Sequence, residues 1–181
     1  MQCGTSRTEI SSTIADGSYN ADVISTAQLW SLTGLPEELT DLFATDRPWE
    51  LLARLDDFMA AIRDGRAGRI HSTAVVEGPV WLAPDAEIGP GALVEGPAWI
   101  GSGAKVGHGA YLRGGAVLAP GARVGHSSEV KRSILLKDAK LPHFNYAGDS
   151  VIGSGVNLGA GVKIANFNAF GHGVRVAGAE G

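Results

Sequence analysis

Residues 88–106 read IGPGALVEGPAWIGSGAKV, and an aliphatic side chain falls at every sixth position: Ile88, Val94, Ile100 and Val106. The same phase runs outward in both directions. Ile70, Val76 and Leu82 precede it, and Leu112, Leu118, Val124, Val130 and Leu136 follow. Four residues after each anchor the column is small: Ala74, Val80, Ala86, Ala92, Ala98, Ala104, Ala110, Ala116 and Ala122, then Ser128. A helix repeats near 3.6 residues and an ordinary strand at 2, so a period of six means short strands separated by corners. Three six-residue faces close a triangular coil of 18 residues, and equivalent residues on successive coils lie about one strand spacing, ~4.8 Å, apart. The aliphatic anchors point inward and the Ala column leaves room where the chain bends. The fold expected is all-β, a single-stranded parallel β-helix with a short helical segment before it.

The rest of the chain is read against that solenoid. Its 26 Gly and 44% hydrophobic content suit tight corners around one continuous core. A formal net charge of −4 argues against a nucleic-acid or anionic-membrane partner. No run has the length of a membrane span, and the first 25 residues lack the apolar core of a signal peptide. Cys3 is the only cysteine, which rules out an internal disulfide and points to a cytoplasmic setting. Residues 1–35, polar and without a sustained period at their start, read as a poorly ordered arm. Residues 36–69 read as a helical cap, with Pro36–Ala44 a short helix and a second helix after Asp46 and Pro48. Leu51, Leu55, Phe58, Met59 and Ile62 share its apolar face, which is expected to lie over the first coil and shield the open solenoid end. Residues 70–181 are assigned to the β-helix.

Adding 18 compares outward positions. Trp81 falls under Trp99 and near Val117, an apolar stripe that suits either a seam between subunits or the N-terminal helix. Glu77, Glu95, Arg113 and Lys131 form another column. Arg113 and Lys131 stand as two like charges on adjacent coils, an arrangement that an anion such as a phosphate satisfies, or that Glu95 relieves as a salt bridge. His108 and His126 are also 18 apart, but two ligands do not make a metal site and no third His shares their phase. The register then breaks: after Pro142 the next anchors are Ile152, Leu158 and Ile164, so an insertion is expected where PHFNYAGD, residues 142–149, concentrates polar and aromatic side chains. His143 is the residue there that exchanges protons near neutral pH.

The segment 141–167, LPHFNYAGDSVIGSGVNLGAGVKIANF, with LRGG at 112–115 and EVK at 129–131, closely resembles the active-site region of one bacterial family. It is the acetyltransferase domain of the bifunctional N-acetylglucosamine-1-phosphate uridyltransferase/glucosamine-1-phosphate acetyltransferases. The resemblance implies a left-handed β-helix working as a homotrimer. It implies His143 as general base, Arg113 and Lys131 as phosphate-binding cations, Tyr146 and Asn157 as amino-sugar contacts, and Ala160, Asn166 and Phe167 around acetyl-CoA. No metal ligand is implied. Three departures stand out. The family's nucleotidyl-transfer domain has no counterpart in these residues, Phe167 and His172 replace a usual tyrosine and lysine, and the family adds further coils after the point where this sequence ends. The activity expected is acetyl-CoA-dependent N-acetylation of an amino-sugar phosphate such as glucosamine-1-phosphate. The alternatives are a non-catalytic trimeric sugar-phosphate-binding scaffold and a metal-dependent β-helix enzyme resembling γ-class carbonic anhydrase, which wants three converging His.

Overall fold

The computed structural model describes residues 25–165. The solenoid is built as the period requires, from short parallel strands on three walls. Wall 1 is a five-stranded sheet of Arg69–Ile70, Glu87–Ile88, Lys105–Val106, Arg123–His126 and Lys140–His143. Walls 2 and 3 form one ten-stranded sheet, because Tyr111–Leu118 and Glu129–Leu135 run unbroken round the corner between them. The wall 2 portion also contains Val75–Glu77, Leu93–Glu95, Tyr146–Gly148 and Lys163–Ile164. The wall 3 portion contains Gly65–Arg66, Val80–Leu82, Ala98–Ile100 and Val151–Ile152, so the first strand precedes the expected boundary at Ile70.

The interior is the expected double column. Ile88, Val94, Ile100, Val106, Leu112, Leu118, Val124 and Val130 are all essentially buried, and Ala86, Ala92, Ala98, Ala104, Ala110, Ala116 and Ala122 fill the corners between them. Ile70 pairs with Ile88, Ile88 with Val106 and Val106 with Val124, each 18 residues on. Past that point the coil shortens. Val124 pairs with Leu141, Val130 with Ala147 and Leu135 with Ile152, each 17 residues on. The missing residue is lost at one corner, where Lys131 still pairs with Arg113 but Ser133 pairs with Ala116, so Arg132 alone faces Gly114 and Gly115.

This corrects the expected insertion after Pro142. Each later coil drops one residue at the corner between walls 2 and 3, and the inward anchors become Leu135, Leu141, Ala147 and Ile152. Leu136, an anchor by strict period, instead points out of the prism and is buried against the helices.

The helical segment comprises α1 (Thr26–Leu29), α2 (Glu37–Thr40) leading into a 3₁₀ turn at Asp41–Phe43, a second 3₁₀ turn at Pro48–Glu50, and α3 (Leu51–Ala61). Residues 25–35 are not free of this layer, since Trp30, Leu32 and Leu35 pack on its apolar cluster. Leu51, Leu55 and Met59 recur at helical spacing on one face of α3 and are buried with Leu39, Leu42 and Phe43. Their partners are Trp99, Val117, Ala119, Ile134 and Leu136. The cap therefore covers the outer face of wall 3 rather than the solenoid end, because that wall carries the outward apolar stripe. Trp99 is 5% exposed beneath it, while Trp81, stacked on Trp99 at 4.8 Å, is 37% exposed. Trp99 and Val117 of the stripe are thus cap contacts, whereas Trp81 stays partly exposed beside them.

Candidate active site at the corner of walls 1 and 2

The expected cation pair is formed. Arg113 and Lys131 are direct partners on adjacent coils of wall 2. Each is held by a carboxylate on the next coil: Arg113 Nη1 donates to Glu129 Oε1 at 2.9 Å, and Lys131 Nζ donates to Asp149 Oδ2 at 3.0 Å. Glu95 does not neutralise Arg113; it accepts instead from the Tyr111 hydroxyl at 2.7 Å. The Glu129 hydrogen bond holds the Arg113 guanidinium above its ordinary pKa, and the Glu95 carboxylate does the same to the Tyr111 hydroxyl. Arg113 Cζ also lies 5.9 Å from the centre of the Tyr111 ring. Both cations remain partly exposed, at 43% and 38% of their side chains, so an anion can reach them.

Tyr146 follows in the neighbouring column, paired through Glu129 to Tyr111. Lys163 completes that column opposite Tyr146, and its Nζ donates to Phe144 O. His143 lies three residues before Tyr146 at the end of wall 1, exposed, on the far side of the corner made by Phe144 and Asn145. Asn157 is bridged to Lys140 on wall 1, and Gly161 N–H donates to His143 O, which brings Ala160 alongside that strand. The expected residues thus divide between two adjoining walls of one corner, with the cations and Tyr146 on wall 2 and His143, Asn157 and Ala160 on wall 1. Asn166 and Phe167 lie outside the described residues, as does His172.

The corner is fixed by a residue that the period conceals. Asn145 occupies the small-residue column after Ser128 and is 2% exposed. Its Oδ1 accepts from His143 N–H at 2.9 Å, its Nδ2 donates to Gly159 O at 2.6 Å, and its own N–H donates to Ser128 Oγ at 3.1 Å. These bonds hold a turn in which Phe144 takes a φ of +51°, a left-handed conformation that a bulky residue adopts only when its surroundings impose it. An Asn interrupting a run of Ala and Ser was the available signal.

The shortened coil also changes the histidine column. His126 pairs with His143, so His143 does fall in phase with His108 and His126, contrary to the count by 18. The rings of His108 and His126 stack at 5.1 Å, whereas the group packed edge-on to His126 is Phe144, also at 5.1 Å. Among the described residues no group of three or more His, Cys, Asp or Glu converges as a metal site would require. No helix among them is long and apolar enough to cross a membrane.

Asp149 is the second concealed residue. Its side chain is 5% exposed and accepts from Lys131 on one oxygen and from Arg132 Nη1, at 3.0 Å, on the other. Burial pushes its carboxyl up, but the Lys131 and Arg132 hydrogen bonds outweigh that and hold it below the ordinary carboxylate range.

Comparison with known proteins agrees with this architecture. A family model described as the GMPPB C-terminal domain matches residues 94–179. The bifunctional protein GlmU of Methanococcus aeolicus is 42% identical over 120 residues, which is 66% of this chain and 29% of that protein. The bifunctional sugar-1-phosphate nucleotidylyltransferase/acetyltransferase of Sulfurisphaera tokodaii is 55% identical over 38 residues, 21% of this chain and 10% of that protein. A crystal structure of a mutant GDP-perosamine N-acetyl transferase from Caulobacter crescentus, in complex with CoA and GDP-perosamine, aligns with 60% of this chain and 53% of that one at 21% identity. The TM-score of that alignment is 0.24. The chain spans less than a third of the length of the GlmU relative, 29%. Over the matched residues it is a hexapeptide-repeat β-helix that resembles the acetyltransferase domain of the bifunctional GlmU proteins.

Proposed function

We propose that this chain transfers an acetyl group from acetyl-CoA to the amine of an amino-sugar phosphate, glucosamine-1-phosphate being the first candidate. The observation that carries the reading is the pairing of Arg113 with Lys131 on adjacent coils of wall 2, with Tyr146 on the next coil of that wall and His143 at the end of the adjoining wall 1. Arg offers a planar fork and Lys a mobile point charge, a combination suited to phosphate oxygens. A phosphate takes over from Glu129 and Asp149, and the sugar then lies across the corner toward Tyr146 and Asn157. An ammonium cannot attack a thioester, so a neutral His143 accepts the proton as the amine nitrogen bonds to the acetyl carbon. The C–S bond then breaks, and the departing thiolate is protonated to free CoA.

Wall 1 supports the donor side of this reading. Lys105, Arg123 and Lys140 stand in register on successive coils, and all three are exposed. Such a basic column suits the phosphates of coenzyme A, with Ala160, Asn166 and Phe167 assigned to its acyl end. The cap occupies wall 3 and leaves walls 1 and 2 available to a second copy, consistent with a homotrimer whose sites lie between subunits. The GlmU relative and the Sulfurisphaera tokodaii acetyltransferase, whose name specifies a sugar-1-phosphate, point the same way.

The test is thiol release from acetyl-CoA with glucosamine-1-phosphate, comparing the protein with His143→Ala. Turnover that this substitution lowers by roughly a hundredfold or more is expected for a general base. Release no faster than that of His143→Ala overturns the reading. Retained binding without turnover would leave a sugar-phosphate-binding module in its place.

A further inference from the structure

Arg132 stands where the coil loses its residue, and it touches both the cap and the cation pair. Its backbone is left-handed, with a φ of +44°, and it packs against Gly115, whose φ is +84° and where an added Cβ would sit 3.1 Å from the Arg132 Cα. A side chain at 115 would be strained at that φ and would press on Arg132, and hydrogen bonds to both layers hold the guanidinium between them. Its Nε and Nη2 grip the Asp56 carboxylate on α3 at 2.9 and 2.5 Å, and Nη2 also donates to Leu52 O at 3.1 Å. Its third nitrogen, Nη1, donates to Asp149 Oδ1, and Asp149 Oδ2 accepts from Lys131. Four charges thus alternate from the cap to wall 2: Asp56, Arg132, Asp149, Lys131.

We propose that Arg132 and Asp149 are positioning residues through which the cap sets how firmly Lys131 is held back from an incoming phosphate. This deepens the reading above and rests on Lys131 being a phosphate-binding cation. The Asp149 side chain is almost fully buried and divides one carboxylate between two cations, so whatever strengthens one bond weakens the other. Neutralising Asp56 leaves Arg132 with Asp149 as its remaining carboxylate. Asp149 then leans toward Arg132 and Lys131 is released. Removing Arg132 does the reverse, leaving Asp149 undivided on Lys131. Both changes cut the same tie between cap and corner, yet they move Lys131 in opposite directions. A tie that merely fastened the cap would shift Lys131 the same way in both.

The experiment compares the full chain with Asp56→Asn and Arg132→Met, with Asp57→Asn as a control that makes the same charge change one residue along α3. Two quantities are read. The first is the rate at which an amine-reactive ester labels Lys131, followed by mass spectrometry, which needs no substrate. The second is the Kd for glucosamine-1-phosphate by calorimetry. Asp56→Asn is expected to raise labelling and tighten binding by roughly threefold, Arg132→Met to lower labelling and weaken binding by a similar factor, and Asp57→Asn to change neither. Shifts in one direction for both variants, or an Asp57→Asn effect as large as that of Asp56→Asn, overturn the proposal. If labelling splits as expected while the unsubstituted protein binds no sugar phosphate, the relay stands and the substrate reading falls. If binding is present but labelling does not split, the relay falls alone. Should Arg132→Met not fold, Arg132→Lys keeps one charge but cannot bridge both carboxylates, and the same outcomes apply.

Discussion

Replacing Asn145 by Ala separates the corner from the rest of the solenoid. The substitution introduces no clash, because the same corner holds Ala110 and Ala92 on preceding coils. What it removes is the acceptor for His143 N–H and the donor to Gly159 O. His143 and Gly159 are both exposed residues, so water partly replaces each lost bond and the cost per bond sits near the net value of about 1 kcal/mol rather than the full desolvation penalty. The expected loss is therefore about 2 kcal/mol, or roughly 4–8 °C in Tm for a chain of this size. The functional effect should exceed the structural one. Without these bonds the turn that keeps Phe144 at positive φ loses its two side-chain ties, and the imidazole shifts relative to the cations. A misplacement of about 1 Å costs on the order of a hundredfold in rate. Urea denaturation and thiol release on the same preparation decide the matter. If the midpoint is unchanged, the bonds do not hold the corner. If stability falls by the expected amount but kcat is intact, the corner does not position His143.

Three further outcomes follow from packing and charge. Asp149 and Asp56 both have carboxyls held below their ordinary pKa in the folded state, so each contributes stability that is present above the unfolded value near pH 4 and is lost as pH falls through the lower folded value; the urea midpoint should drop below about pH 4, and Asp149→Asn should flatten that limb. Gly101→Ala would place a Cβ 2.5 Å from the Trp99 ring, so it should destabilise by about 1–3 kcal/mol, and combining it with Trp99→Leu should cost less than the sum of the two. Trp99→Ala should cost about 3–5 kcal/mol because the ring is enclosed between wall and cap, whereas Trp81→Ala, on a ring 37% exposed, should cost clearly less in the same denaturation assay.

The solenoid was legible because burial repeats with the covalent spacing: a six-residue period admits only one way of placing Ile88, Val94 and Ile100 inside. The cation column was legible for the same reason, since Arg113 and Lys131 lie within the region where the period holds. The errors begin where one residue is lost. A count by six makes Leu136 an anchor and then requires an insertion after Pro142, whereas a single missing residue beside Arg132 turns Leu135 inward and Leu136 toward the cap. Both are Leu, so composition could not choose between them. The same slip hid the alignment of His126 with His143. The cap's place was illegible for a different reason. The apolar face of α3 states that it must be covered, but only the outward stripe of Trp99, Val117 and Ile134 says by which wall.

The lost residue and the cap belong together. On the earlier coil the corner between walls 2 and 3 is turned by two glycines, Gly114 and Gly115, which carry no side chain toward either wall. On the next coil Arg132 turns it alone, and on the one after that Asp149 does, each at positive φ. Shortening the turn thus stacks a guanidinium directly against a carboxylate at a corner where the previous coil presented bare backbone. From that corner Arg132 reaches α3 on wall 3 and Asp149 reaches Lys131 on wall 2. A left-handed conformation costs a non-glycine residue on the order of 1 kcal/mol, and it is taken twice in succession here. Two hydrogen-bonded ion pairs to the Asp149 carboxylate offset it: glycine at 149 removes both, and glycine at 132 removes the one to Arg132. The corner therefore trades backbone ease for charge, and that exchange ties the helical layer to the candidate site.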